Sequence, residues 1–282
     1  MTSYRQHTVL VSGLGFPESL RWHDDTLWYA DWAVGEIGRL TAGDASPEVV
    51  ARRSTFPLCF DLRPTTAGPQ PVTVADLPGL AGLAGVGEHP WNEVLCRPDG
   101  STYVNNIGFA YDGSVDASAA GAVGFVALVR PDGSVEVVAD GLAFPNGMAL
   151  VEDGRTLLVA ESWASRLSAY DVGEHGTLGG RRVWAETPGL HPDGIDAHHV
   201  DGQWDGSVWL ADVGTRCCAR VAEGGEILDR VDLPESAFDC VVGDLGSGPT
   251  LYVAVNAFGE EVGGGDSSGG PAGKILAVPV SP

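Results

Sequence analysis

Glu18, Asn92, Asn146 and Asp193 are oxygen-bearing side chains that follow a proline in a recurring phrase. Residues 13–22 read GLGFPESLRW and residues 141–150 read GLAFPNGMAL, with Glu18 and Asn146 directly after the proline. A looser copy, GLHPDGIDA at 189–197, puts Asp193 in that slot, and HPWNEVL at 89–95 puts Asn92 two residues past its proline. Two carboxylates and two amides are hard donors, with no His nitrogen or Cys sulfur at an equivalent place. Such a set suits Ca²⁺ best, with Mg²⁺ or Mn²⁺ as alternatives; Zn²⁺ is a candidate that this donor set serves less well. Two negative charges offset a divalent cation, and without it carboxylates at close range repel and one pKa rises. Pro-Asn-Gly and Pro-Asp-Gly are also common turn tripeptides. Glu18, a poor turn former, and the recurrence of the slot favour ligands.

Positioning four such groups needs a repeated element. Each slot is followed by a strand-like run: LWYAD (27–31), TYVNN (102–106), TLLVAES (156–162) and SVWLAD (207–212). The first unit runs from Gly13 to about Arg53 as four short β segments separated by Gly, Asp and Pro, the pattern of one propeller blade. The stretch from Ser54 to Asp76 reads as an abbreviated second blade, with FPLCFDL inside and PVTVAD outside. A third unit with a long insertion starts near Leu77, and units at 141–186 and 187–232 and from Pro234 complete the series. No stretch shows the i, i+3, i+4, i+7 apolar period of a helix. The expectation is a single all-β domain over residues 1–282, a six-bladed β-propeller with the second blade possibly abbreviated. The extra strand at 7–12 is expected to join the last blade and close the ring, bringing the four oxygens together at the axis.

Composition narrows the partners. With 282 residues and 44% hydrophobic content there is enough for a large core, and Gly 40 and Pro 18 point to many turns. A net charge of −22 argues against nucleic acid or an anionic membrane surface and leaves a small-molecule substrate as the expected partner. The N-terminus has no apolar stretch of signal-peptide length and no run reaches the length of a membrane span, which points to the cytoplasm. Cysteines 59, 96, 217, 218 and 240 are odd in number and form no CxxC, so a disulfide framework is not expected, and Cys217-Cys218 reads as two reduced thiols on a strand.

Other chemistry is weaker. His198-His199 lacks metal-ligand spacing and reads as a solvated turn; His191, two residues before Asp193, reads as structural. No nucleophile elbow, P-loop or dinucleotide fingerprint is present. Trp32, Phe109, Trp163 and Phe258 either wall a substrate pocket or pack blades together.

FPES with Glu18, FPNGMAL with Asn146 and PDGID with Asp193 resemble the three metal-ligand motifs of the senescence-marker-protein/gluconolactonase/luciferin-regenerating-enzyme family, six-bladed propellers that include regucalcin-like lactonases. The resemblance covers nearly the whole chain. It implies that Asn92 contacts substrate or completes the coordination, and that Asp193 is the general base. Two departures stand out: Pro90 occupies the place where sugar-lactone members usually carry an Arg, which argues against a sugar-acid substrate, and the second blade is short. The implied activity is a metal-dependent hydrolase opening a lactone, or a related cyclic or aryl ester, with Asp193 and Asn92 at the chemistry and the cation polarising the carbonyl. The rivals are a calcium-stabilised propeller that binds without catalysis, and a phosphotriester-hydrolysing or biosynthetic enzyme on the same scaffold.

Overall fold

A computed structural model describes residues 4–54, 57–63, 69–72, 91–110, 121–257 and 272–281. Its secondary structure is β throughout apart from two short 3-10 turns. The described residues form five four-stranded antiparallel sheets and one two-stranded sheet. Each four-stranded sheet is a meander of the kind that makes a propeller blade. The strands are Pro17–His23, Thr26–Asp31, Glu36–Thr41 and Glu48–Arg52 in one blade, and Trp91–Cys96, Thr102–Asn106, Gly124–Val129 and Val135–Leu142 in the next. Pro145–Val151, Thr156–Glu161, Arg166–Val172 and Leu178–Glu186 form a third; Pro192–Val200, Gln203–Asp212, Cys217–Ala222 and Ile227–Asp232 a fourth. In the fifth, Ser236–Gly243, Thr250–Asn256 and Gly273–Pro279 are joined by the N-terminal strand Thr8–Leu14, which pairs antiparallel with the last strand as expected.

The six blades expected from the sequence, the second possibly abbreviated, are therefore corrected to five four-stranded blades among the described residues. Among the described residues of 54–76, Asp61–Arg63 pairs with Gln70–Val72, and Pro69 and Pro71 there offer no backbone N–H to a wider ladder. The remainder of that stretch, and the start of the third unit including Pro90, lie outside the described residues.

The local reasons for the strands are plain. Second strands such as TLWYAD and TLLVAE are buried at every residue, so they are apolar runs rather than alternating ones. Outer strands such as EVVAR are mostly exposed. Asp24-Asp25 and Asp201-Gly202 have positive φ at both turn residues, the mirror-image turn whose twist matches a two-residue hairpin.

The chain divides into two compact units, Met1–Leu58 with Asp193–Pro282, and Cys59–Pro192. In the first, Trp209, Cys218 and Val231 pack on Cys240, Leu251 and Val253 of the neighbouring blade, and Leu20, Leu27 and Tyr29 pack on Tyr252 and Ile275. In the second, Tyr103, Val126 and Leu128 meet Met148, Leu157 and Tyr170. Among the described residues no helix is long and apolar enough to cross a membrane. All five cysteines are free thiols, and Cys217 and Cys218 lie buried on one strand.

Candidate functional site

Glu18, Asn92, Asn146 and Asp193 are each the second residue of the first strand of their blade. The registers agree. Pro17 faces Asp31, Trp91 faces Asn106 and Pro145 faces Glu161, so in these three blades the residue before the slot meets the last residue of the second strand. Each of these three first strands carries a register shift at the slot, between Glu18 and Arg21, Trp91 and Glu93, and Pro145 and Met148. A bulge there interrupts the pleat and re-aims the side chain. Ser19 and Phe144, with φ of 52° and 58°, hold the left-handed conformation beside two of the slots. Non-glycine residues do so at a cost, typically where function requires it.

In the unit containing Glu18 and Asp193, the loop before the slot is held by Asp31. Its carboxylate accepts from the backbone N–H of Gly15 at 2.8 Å, Phe16 at 2.9 Å and Ala33 at 3.2 Å. Glu18 is half-buried and accepts from the Ser19 N–H at 3.3 Å; Asp193 is buried. Between their two strands sits Asp239, also buried, which accepts from Leu20 N–H at 2.5 Å and Cys240 N–H at 2.8 Å. Its carboxylate fills the space where a Cβ on Gly194 would lie, so the residue after Asp193 has to be glycine. Asp196, three residues along from Asp193, accepts from Val242 N–H at 2.9 Å, and burial pushes its carboxyl up to about 6 against the lowering effect of that bond.

In the other unit Asn92 and Asn146 are brought side by side. Asn92 Nδ2 donates to the Pro145 carbonyl at 3.4 Å, and Asn105 Nδ2 donates to the Asn146 carbonyl at 2.5 Å. Asn146 Nδ2 donates to Ser162 Oγ at 3.4 Å, whose own hydroxyl donates to the Pro192 carbonyl at 2.7 Å. Both amide NH₂ groups are thus taken by protein acceptors, which turns each side-chain oxygen to the opposite side. Glu161, fully buried, holds the preceding loop through Ala143 N–H at 2.9 Å and is met by Ser168 at 2.5 Å and by Arg166 and Arg181 at 3.0 Å. Burial alone would raise its carboxyl, but bonds from Arg166, Ser168 and Ala143 outweigh burial and hold it below the usual range.

Among the described residues no three His, Cys, Asp or Glu side chains gather as a metal cluster. Glu18 and Asp193 in one unit and Asn92 and Asn146 in the other are each hard oxygen donors, the type that suits Ca²⁺ or Mg²⁺ rather than a thiolate- or imidazole-bound metal.

Some residues were read differently in the sequence. His198-His199 is strand rather than turn: both lie in Pro192–Val200, with His198 buried and Nδ1 of His199 at 2.8 Å from the Ala197 carbonyl. Nδ1 of His191 sits 3.1 Å from the Ser162 carbonyl, a structural contact. Phe258 lies outside the described residues, while Trp32, Phe109 and Trp163 lie in half-exposed aromatic clusters. Asp31, Glu161, Asn105, Ser162 and Asp239 also position the slots, through the bonds described above. The runs LWYAD, TLLVAES and SVWLAD all end in an acid or reach one near the end, and that regularity was the available signal.

With this geometry in place, comparison with known proteins is informative. Residues 16–256 match the SMP-30/gluconolactonase/LRE-like region. The chain is 27% identical to the pentonolactonase XacC of Haloferax volcanii over 198 residues, 68% of this chain and 62% of that protein, less than two thirds of its length. It is 33% identical to the diisopropyl-fluorophosphatase of Loligo vulgaris over 82 residues, 28% of this chain and 26% of that one. The structure superposes on regucalcin, a calcium-binding protein of Agrobacterium tumefaciens, with a TM-score of 0.67 at 17% identity, covering 97% of this chain and 93% of the other, which is a likeness of fold. The match of the family region to most of the chain, through all the slots described above, shows that this protein belongs to the SMP-30/gluconolactonase/LRE-like family.

Proposed function

We propose that the chain is a metal-dependent hydrolase that opens a lactone or a related ester, with Glu18, Asn92, Asn146 and Asp193 holding one divalent cation, Ca²⁺ first among candidates. The observation that carries this reading is the shared place of the four oxygens, each second in the first strand of its blade. A cation held there supplies Lewis-acid polarisation of the scissile carbonyl and stabilises the charge that develops on its oxygen.

The protein's own residues do the rest. The Asp193 carboxylate takes the proton from the attacking water. Asn92 and Asn146 present oxygens that do not titrate, their NH₂ groups being committed to Pro145 and Ser162. Asp31 and Glu161 keep the loops before the slots from shifting, through Gly15, Phe16 and Ala143. The substrate is a small molecule, in keeping with the pentonolactonase relative and with a net charge of −22.

A second reading, hydrolysis of an organophosphorus ester at the same cation, draws on the 82-residue match to the squid enzyme. The test is a panel of lactones, aryl esters and a phosphotriester, assayed before and after chelation. Turnover of a lactone that vanishes on chelation and returns with Ca²⁺ supports the proposal; hydrolysis that survives complete stripping refutes it. Asp193→Asn should keep the fold and lose turnover by on the order of 10²–10⁴-fold, the usual worth of a general base.

A further inference from the structure

Beside Asn146 three half-exposed rings meet. Phe109 and Trp163 stack with centroids 4.9 Å apart and planes at 26°; Phe144 and Trp163 lie 4.8 Å apart, and Phe109 and Phe144 5.9 Å. The cluster is tied to the slot through backbone and side chain alike. Phe144 is two residues before Asn146, Ser162 N–H donates to its carbonyl at 3.1 Å, and Trp163 N–H donates to Ala143 O at 3.2 Å. Ser162, next to Trp163, takes the Asn146 amide. The chain buries Trp28, Trp209 and Tyr103 to 2% exposure or less, although Trp22, Trp32, Trp91 and Trp204 are half-buried like the rings here. Here it holds Phe144 at φ 58°, a left-handed conformation costly for an aromatic residue, and leaves the three rings partly open.

Charge in this unit is consistent with an apolar guest. It contains no lysine, and each of its arginines already meets a protein oxygen. Arg166 and Arg181 are held by Glu161, Arg97 by Asp99, Arg130 by Glu136 and Arg182 by Asp171, while Arg155 pairs with Asp153 and Arg63 donates to Gly100 O. Among the described residues of this unit, no arginine is without a protein oxygen partner.

We infer that Phe109, Phe144 and Trp163 form the subsite for the group flanking the reacting carbonyl, and that the substrate is an uncharged lactone or ester bearing an apolar alkyl or aryl substituent. This rests on the hydrolase reading above and narrows its substrate class. Each added methylene resting on the rings is worth about fourfold in kcat/KM. Offset stacking of an aryl substituent on Trp163 serves the same purpose.

The test uses two readouts. In the first, kcat/KM is measured with Ca²⁺ for γ-lactones from butyrolactone to nonalactone, for phenyl acetate and for gluconolactone, on wild type, Trp163→Ala and the milder Trp163→Leu and Phe109→Leu. In the second, binding of cyclopentanone and 2-heptylcyclopentanone, which cannot be hydrolysed, is measured by calorimetry. Affinity and kcat/KM that climb with tail length in wild type, and a long-to-short ratio that collapses in the Trp163 variants, are expected. A flat tail dependence in wild type, or a ratio untouched by Trp163→Leu and Phe109→Leu, overturns the subsite. Tail-dependent ketone binding with no hydrolysis of any lactone or ester would keep the subsite and discard the hydrolase reading.

Discussion

The two closest copies of the repeated phrase, around Glu18 and around Asn146, share a frame and differ in how it is fastened. Both first strands are bulged at the slot, and both have a carboxylate at the end of the second strand gripping the preceding loop. In the Glu18 copy that carboxylate is Asp31, which is satisfied by three backbone N–H groups. In the Asn146 copy it is Glu161, which adds Ser168 and two arginines. The second fastening also differs: Asp239 accepts from Leu20 N–H in one, whereas Asn105 donates to the Asn146 carbonyl in the other. A repeat can therefore keep the strand position of an oxygen-bearing side chain while changing the groups that fasten it there.

Glu161→Gln should separate the two fastenings most sharply. It leaves Arg166 and Arg181 without their carboxylate and should cost about 3–5 kcal/mol in urea unfolding, as breaking a buried ion pair does. Asp31→Asn, which disturbs only bonds from backbone N–H donors, should cost about 1–3 kcal/mol. Equal losses would mean that the arginines contribute nothing.

Acid titration extends the contrast to the third copy, where Asp196 lies. Its carboxyl is raised to about 6 in the folded chain, so the folded state holds the proton more tightly. Its contribution is fully present below the unfolded carboxylate range and is lost as pH rises through about 6, amounting to about 3 kcal/mol at most. Glu161 acts oppositely: its carboxyl is lowered, so its contribution is present above the unfolded range and falls away as the solution is acidified below it. Metal-free stability measured from pH 3.5 to 7.5 should flatten between pH 4 and 6 in Asp196→Asn and at the acid end in Glu161→Gln. An Asp196→Asn profile identical to wild type would contradict the assignment.

Substitution of the slots themselves should follow charge. Glu18→Ala is expected to weaken divalent-cation binding by on the order of 100-fold, and Asn146→Ala by about tenfold, since only the first removes a negative charge. Calorimetric titration decides the order; the reverse ranking would break the comparison. The smallest effect should come from the other fastening. Asp239→Asn, which weakens the acceptor of the Leu20 N–H, should cost about 1–2 kcal/mol of stability, with a larger fractional loss of metal affinity than Asn105→Ala shows.

Much of this was legible in the sequence because the phrase repeats. Pro-Glu, Pro-Asn and Pro-Asp mark Glu18, Asn146 and Asp193, and the register at Trp91 puts Asn92 at the same strand position despite its displaced proline. The apolar runs located the second strands for the same reason, being buried on both faces. What stayed hidden were partners distant in sequence. Asp239 serves a backbone N–H 219 residues away. Glu161 and Asp31 stand in quoted runs, but their partners are loop N–H groups 15 to 18 residues earlier, which composition cannot reveal. The count of six blades is not met among the described residues, where 54–76, read as an abbreviated blade, carries one two-stranded sheet.

Calcium titration of the chelator-stripped chain, run beside lactone hydrolysis on the same samples, tests the central claim most directly. Wild type should take up one ion per chain and recover turnover in step with occupancy, while a Glu18→Gln, Asp193→Asn double variant should remain folded and bind none. Full activity in stripped protein, or calcium uptake unchanged in the double variant, would contradict it.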